Sequence, residues 1–380
     1  MAEVTNYIDR LVAELCPDGV DFYTIDELIT LDFGTRITKS KDAGTIYPVY
    51  GGGGASFRTD NYNREDKYVV SRFAMSEKCV RYVSGKFWML DSGFTYSVKD
   101  ESLLSYKYIS YWLLNAQQEI YACSSQSAQR NLKTAEFKRF EVPVPPMEIQ
   151  EAIVEILDKF TNLEAELEAE LEARTLQYEY YRDSLFEALD CPRVPLGSFT
   201  QYSKDRKRDD STVSVYVGVE NLKSDFQGCA PTESTNPGVV FQKGDILLGN
   251  IRPYLKKMWR ADSDGVASPD VLVIRIRDEF SEKISSRYLY HLLASNEFVG
   301  YNVAHSRGGK MPRGNKAKIL EFEAPIPSLE EQQRIVDILD RFDALTTSLS
   351  EGLPAELTAR RSQYEYYRDQ LLTFPRKGGN

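Results

Sequence analysis

Gln177-Tyr-Glu-Tyr-Tyr-Arg-Asp-Ser-Leu185 is written a second time near the other end of the chain, as Gln363-Tyr-Glu-Tyr-Tyr-Arg-Asp-Gln-Leu371, with eight of nine positions identical. Upstream of each copy a second pair matches, Ile153-Val-Glu-Ile-Leu-Asp-Lys-Phe160 and Ile335-Val-Asp-Ile-Leu-Asp-Arg-Phe342. The first pair is offset by 186 residues and the second by 182, so the later copy carries four extra residues, which the sequence places near Gly352-Leu353-Pro354. Two matches in the same order mark an internal duplication, and a duplication sets the domain plan before any single element is assigned.

The repeated segments read as helices. Apolar residues fall at Ile149, Ile153, Ile156, Phe160, Leu163 and Leu167, then at Tyr178, Tyr181 and Leu185. The later copy gives Ile335, Ile338, Phe342, Leu345 and Leu349, then Tyr364, Tyr367 and Leu371. Steps of three and four make a coiled-coil seam. About 40 residues per copy would make a helix about 60 Å long. Helices exchanged by the pseudo-twofold that the repeat implies would run antiparallel. The earlier copy also contains the tetrads Leu163-Glu-Ala-Glu, Leu167-Glu-Ala-Glu and Leu171-Glu-Ala. Four residues add about 6 Å and rotate a helix by about 40°, close to one base-pair step of duplex DNA. Leu163, Leu167 and Leu171 are therefore expected to mark a spacer whose length matters.

Between the helices lie two blocks with a common plan. Lys67-Tyr-Val-Val-Ser-Arg72 and Asp245-Ile-Leu-Leu248 read as strands, and Lys107–Leu114 and Arg287–Leu293 as short helices. Phe140-Glu-Val-Pro-Val-Pro145 and Phe322-Glu-Ala-Pro-Ile-Pro327 close the blocks with Pro-containing strands. Leu11, Leu15, Cys16-Pro17 and Val20 echo Leu185, Leu189, Cys191-Pro192 and Val194, so the N-terminal helix resembles the end of the central segment. The expected boundaries are 1–142 for the first block, 143–190 for a helical spacer, 191–325 for the second block, 326–374 for a second spacer and 375–380 for a tail. The fold class is α+β: two mixed α/β domains in pseudo-twofold arrangement, separated by two long helices forming an antiparallel coiled coil.

A formal charge of −10 argues against nucleic-acid binding until it is located. Residues 143–190 hold 3 Lys and Arg against 13 Asp and Glu, and 326–380 hold 7 against 9, so the two blocks between them carry a slight positive balance. The acidity belongs to the helices. No apolar run is long enough to cross a membrane, and the five scattered cysteines form no CxxC pair. The sequence reads as a soluble, cytoplasmic protein without a membrane partner, disulfide framework or zinc site.

The blocks' basic clusters are the candidate DNA contacts. In the first block these are Arg36, Lys39 and Lys41, then Tyr50 and Arg58 around the Gly51–Gly54 turn, then Gln129, Arg130 and Lys133. In the second they are Lys204, Arg206, Lys207 and Arg208, then Arg252, Tyr254, Lys256 and Lys257, then Arg307, Lys310, Arg313 and Lys316 in a Gly-rich loop. No catalytic constellation accompanies them. Only His291 and His305 are present, and His291 reads as structural. Gly51–Gly54 fails the dinucleotide pattern, and Arg307-Gly-Gly-Lys310 fails the phosphate-loop pattern. Asn250-Ile-Arg-Pro-Tyr254 has the wrong spacing for a methyltransferase motif, and Pro269-Asp270 lacks its nuclease partner. The remaining alternative from residues alone is a non-catalytic coiled-coil adaptor or scaffold.

Two differing blocks, each followed by a helix ending in Gln-Tyr-Glu-Tyr-Tyr-Arg-Asp, resemble the specificity subunits of type I restriction–modification enzymes. The Pro-Pro-Met-Glu-Ile-Gln150 stretch, the Tyr47–Gly53 turn and Gly244-Asp-Ile-Leu…Ile251-Arg-Pro-Tyr254 carry the same likeness. The resemblance implies two target-recognition domains, each reading half of a bipartite, asymmetric sequence in double-stranded DNA. It implies helices that dock two modification (methyltransferase) subunits, with restriction (translocase/nuclease) subunits joining the complex. S-adenosylmethionine, ATP and magnesium would then belong to those partners, and this chain would bind no cofactor and perform no catalysis.

Overall fold

The structure, a computed structural model, describes residues 2–126, 129–207, 212–347 and 352–378. Arg208 and Leu349 lie outside the described residues. The chain divides into two compact units: Met1–Ala165 with Ala359–Asn380, and Glu166–Thr358. Each therefore contains one block, the start of one repeated helical segment and the end of the other.

In the first unit a six-stranded sheet runs in the order Ile29–Phe33, Gly93–Val98, Arg64–Ser71, Val80–Met89, Tyr47–Gly51, Gly54–Thr59. Pairing is antiparallel except between Tyr47–Gly51 and Val80–Met89, where Val49 pairs with Trp88 in parallel. Strand Arg64–Ser71 contains the expected Tyr-Val-Val run, and its Val69 and Val70 are fully buried. Asp21–Thr24 and Glu141–Val144 form a separate antiparallel pair, the latter being the anticipated Pro-containing strand. Thr24 then caps the short helix Ile25–Leu28 through a reciprocal box with Glu27. Helix Tyr106–Asn115 lies on the core formed by Phe94, Tyr96, Phe137 and Ile120. Ile149, Ile153 and Leu157 of the long helix Met147–Glu187 join that core fully buried. Each such side chain contributes about 1.5–3 kcal/mol of burial.

The second unit repeats the central part of this plan. Its four-stranded sheet has the order Thr200–Tyr202, Val271–Ile276, Ile246–Gly249, Met258–Arg260. That is the same succession of first, last and two middle strands. The units differ beyond that edge. The first adds the hairpin Tyr47–Gly51/Gly54–Thr59, whereas the second builds a separate five-stranded sheet from Arg206–Lys207, Gly238–Phe241, Gly265–Ala267, Ser214–Val217 and Thr232–Ser234. Helix Ser286–Ala294 and the pair Arg193–Pro195/Glu323–Pro325 match their counterparts in the first unit. Tyr108 donates its hydroxyl to the Pro143 carbonyl at 3.0 Å, and Tyr288 donates to Pro325 at 2.8 Å.

The duplicated helices repeat their contacts as well as their letters. In the first unit Phe160 packs against Tyr364 at 6.3 Å and stacks on Tyr367 at 5.8 Å. In the second unit Phe342 packs against Tyr178 at 6.3 Å and stacks on Tyr181 at 5.6 Å. Each Gln-Tyr-Glu-Tyr-Tyr-Arg-Asp motif thus docks on the Phe of the other copy. Within the first unit the direction is antiparallel: Glu164, one turn beyond Phe160, pairs at 2.6 Å with Arg361, which precedes Tyr364. Met147–Glu187 is one helix of 41 residues, as its periodicity predicts.

The later copy departs from the expectation of a single long helix. It comprises Leu329–Thr347 and Gly352–Leu371. Gly352 has a left-handed φ of +76°, and a Cβ there would lie 2.6 Å from the Leu345 carbonyl oxygen. Only glycine fits that approach without strain. The break falls where the four-residue excess was placed.

Candidate nucleic-acid interface

In each unit a turn leaves the sheet and is hydrogen-bonded to the segment preceding a short helix. Strand Arg64–Ser71 ends in the turn Arg72–Met75. There Leu132 N–H donates to the Arg72 carbonyl at 2.8 Å and Met75 N–H donates to Arg130 at 3.1 Å. Strand Ile246–Gly249 ends in Asn250–Leu255. There Gly314 N–H donates to Asn250 at 3.0 Å and Arg252 N–H donates to Pro312 at 2.7 Å. The approaching segments are themselves folded back, with bridges between Ser124 and Leu132 and between Arg307 and Arg313. Two residues into each turn the backbone is left-handed, at Ala74 (φ 49°) and Arg252 (φ 52°).

Each junction therefore unites clusters that the sequence separates by more than fifty residues. It also collects unusual polar groups. Five buried side-chain atoms have no hydrogen-bond partner among the described residues: Arg81 Nε, Asn131 Oδ1, Asn250 Oδ1, Arg252 Nε and Asn302 Oδ1. All five belong to these junctions or to the residues that brace them. Arg81 supports the first, donating to Ser71 Oγ at 3.4 Å and to the carbonyls of Gly52 at 3.3 Å and Gly51 at 2.6 Å. Asn250 and Asn302 both aim their carboxamide oxygens at Gly314, where a Cβ would lie 2.9 Å from each. A buried polar atom without a partner costs about 1–3 kcal/mol. Left-handed non-glycine residues add about 1–3 kcal/mol each. Of the other left-handed non-glycine residues described, Asp225, Phe226 and Lys256 lie in a loop pair beside the second junction, and Asp66 lies at the bulge of strand Arg64–Ser71. Strain and unmet hydrogen bonding concentrate together, as they do at functional sites.

The candidate residues divide by what already engages them. Arg36, Lys39 and Lys41 are exposed on the segment following Phe33. Tyr50 is half-buried, edge-on to Phe87 at 5.6 Å. Arg58 donates to the Ile46 carbonyl at 2.6 Å and so closes its own hairpin. Gln129 is exposed. Arg130 lies 4.6 Å over the Tyr121 ring, and Lys133 pairs with Glu136 at 3.1 Å. In the second unit Lys204, Arg206, Arg307, Lys310 and Lys316 are exposed, and Tyr254 is half exposed. Arg313 pairs with Asp270 at 3.2 Å, which gives Asp270 a structural role. Lys207 donates to the Thr212 carbonyl and to Ser214 Oγ, Lys257 to the Val219 carbonyl at 2.8 Å, and Lys256 pairs with Glu179 at 3.6 Å. These three ammonium groups brace loops.

Arg72, Arg81 and Asn302 were missed by the sequence reading. Arg81 is a lone arginine on a strand and Arg72 one just past a strand end, both outside any basic run. The available signal was alignment of the two strand ends, which sets Arg72 against Asn250.

Among the described residues near the junctions, the thiols are not nucleophiles. Burial pushes the Cys79 and Cys229 thiols up to about 11, so neither is a thiolate at neutral pH. No group of His, Cys, Asp and Glu among the described residues could hold a metal ion. No helix among them is long and apolar enough to cross a membrane. His291 is 1% exposed and bonds through Nε2 to Asp340 at 2.7 Å, inside the second unit's core. Burial would raise the Asp340 pKa, but the bond to His291 and the charges of Arg287 and Arg260 hold it below the usual carboxylate range.

Comparison with known proteins gives a consistent result. The family described as "Type I restriction modification DNA specificity domain" matches residues 17–173 and 200–359. The type I restriction enzyme EcoR124I/EcoR124II specificity subunit of Escherichia coli is 30% identical over 298 residues, covering 73% of each chain. Two solved chains share the fold at low identity. The S subunit of a type I restriction–modification system from M. genitalium has a TM-score of 0.58 at 18% identity, covering 93% of this chain and 96% of that one. A chain from a structure concerned with assembly and conformational transition of the type I R-M system gives 0.59 at 12%, covering 93% and 97%.

Proposed function

The chain belongs to the type I restriction modification DNA specificity family, and on that premise we propose that its two junctions each read one half of a split target in duplex DNA. The protein is a specificity subunit with two recognition domains, a non-catalytic component of a larger complex. The observation that carries the division of labour is the repeated junction itself. One backbone arrangement presents different side chains in the two domains. Arg72, Gln129 and Arg130 stand in the first; Arg252, Tyr254, Arg307, Lys310 and Arg313 stand in the second. Different side chains on equivalent frames imply different half-sites, hence an asymmetric sequence. Arg36, Lys39, Lys41, Lys204, Arg206 and Lys316 are exposed and suited to phosphate contacts, which position the protein without reading sequence.

The duplicated helices present Tyr180 and Tyr366, 68% and 59% exposed, at equivalent positions. Two equivalent surfaces suit two copies of one partner, so we assign the helices the docking of two modification subunits. Restriction subunits complete the assembly. S-adenosylmethionine, ATP and magnesium act in those partners, and the complex works in the cytoplasm. Salt dependence tests DNA binding directly. With its modification subunits, the protein should lose affinity for its target linearly in log–log form, by about 0.9 per phosphate neutralised. A salt-independent affinity would contradict the proposal.

A further inference from the structure

We propose that Arg72 is the base-reading arginine of the first recognition domain and that its target is a guanine edge. The inference rests on the reading of the junctions as DNA-facing. Arg72 follows the last residue of strand Arg64–Ser71, the place that Asn250 takes in the second domain. Its main chain is fixed on both sides: the N–H donates to the Ser92 carbonyl at 2.8 Å, and its carbonyl accepts from Leu132 at 2.8 Å. Its guanidinium lies 5.0 Å from the Phe33 ring and 4.6 Å from the Phe73 ring. Phe33 is 43% exposed, so an apolar ring is kept at the surface beside this arginine. The guanidinium makes no hydrogen bond or ion pair among the described residues. In the same domain Arg58, Arg64, Arg81 and Arg130 all donate within the fold.

The two rings fix the plane of the fork and remove much of its rotamer freedom before binding. A phosphate contact needs only a point charge. A planar fork held in one orientation suits two acceptors lying side by side, as N7 and O6 of guanine do in the major groove. The unpartnered Asn131 oxygen lies in the strand-like segment bonded to the same turn, so a second polar group stands at the same edge.

The test uses this chain assembled with its modification subunits, comparing wild type with Arg72→Lys and Arg72→Gln by mapping methylated adenines on random-sequence DNA. Both variants should relax one G·C position in one half-site, losing about ten- to hundredfold of discrimination there. The other half-site, read in the same molecule, should stay unchanged and reports that the variants fold. An unchanged motif would overturn the assignment. So would weakening across all sequences alike, which marks a phosphate contact. If wild type itself shows no bipartite motif, the reading of the junctions fails instead.

Discussion

Gln150 is fully buried, and its one side-chain amide meets three backbone partners. Its Oε1 accepts from Ser105 N–H at 2.9 Å, and its Nε2 donates to the carbonyls of Leu103 at 2.9 Å and Pro145 at 2.8 Å. Gln332 reproduces the set, accepting from Ser285 and donating to Lys283 and Pro327, at 2.9 to 3.0 Å. Each glutamine ties the start of a long helix to the loop before a short one. Replacing Gln150 with Leu should destabilise the first domain by about 2–3 kcal/mol, because buried backbone groups lose their partners. Gln332→Leu should do the same in the second, with urea unfolding as the measure. A neutral outcome at both would mean that the repeat is not maintained by these bonds. At this scale the sequence is only partly legible. It places Gln150 inside a family-like stretch but cannot show which carbonyls it meets. It ranks Arg58, Lys207 and Lys257 with other cations, although neighbouring carbonyls engage all three. Density of basic residues is readable from letters; the unmatched donor of Arg72 depends on distances between segments far apart in the chain.

Helices are the most legible elements. The three- and four-residue spacing that fills the core with Ile149, Ile153 and Leu157 also sets Phe160 against the distant tyrosines. The interruption at Gly352 was legible too, through the change of offset between the repeats, though its left-handed backbone was not. Short strands were harder. Arg206–Lys207 and Thr232–Ser234 are too polar and brief to carry an alternating pattern, so the five-stranded sheet of the second domain was not foreseen. The tetrads at Leu163, Leu167 and Leu171 lie within an unbroken helix, with these leucines half-buried. Deleting Leu167–Glu170 removes about 6 Å and about 40° of helix. We expect the mapped motif of that variant to keep both half-sites and lose one base pair between them. An unchanged gap would show that spacing is set elsewhere.

Across the whole molecule, the net charge of −10 is a poor guide to function because the central helical segment carries it, leaving both recognition domains free to approach phosphate. The order of block and helix was readable from the duplication alone. Which surfaces we propose to face DNA was not, because the junctions form only when a strand end meets a segment more than fifty residues away. The central claim is that one frame, used twice with different side chains, reads two different half-sites. Mapping methylated adenines genome-wide in cells that express this chain with its modification subunits tests it most directly. The account predicts methylation confined to one bipartite, asymmetric motif with a fixed gap. Methylation at a single continuous motif, or without sequence preference, would contradict it.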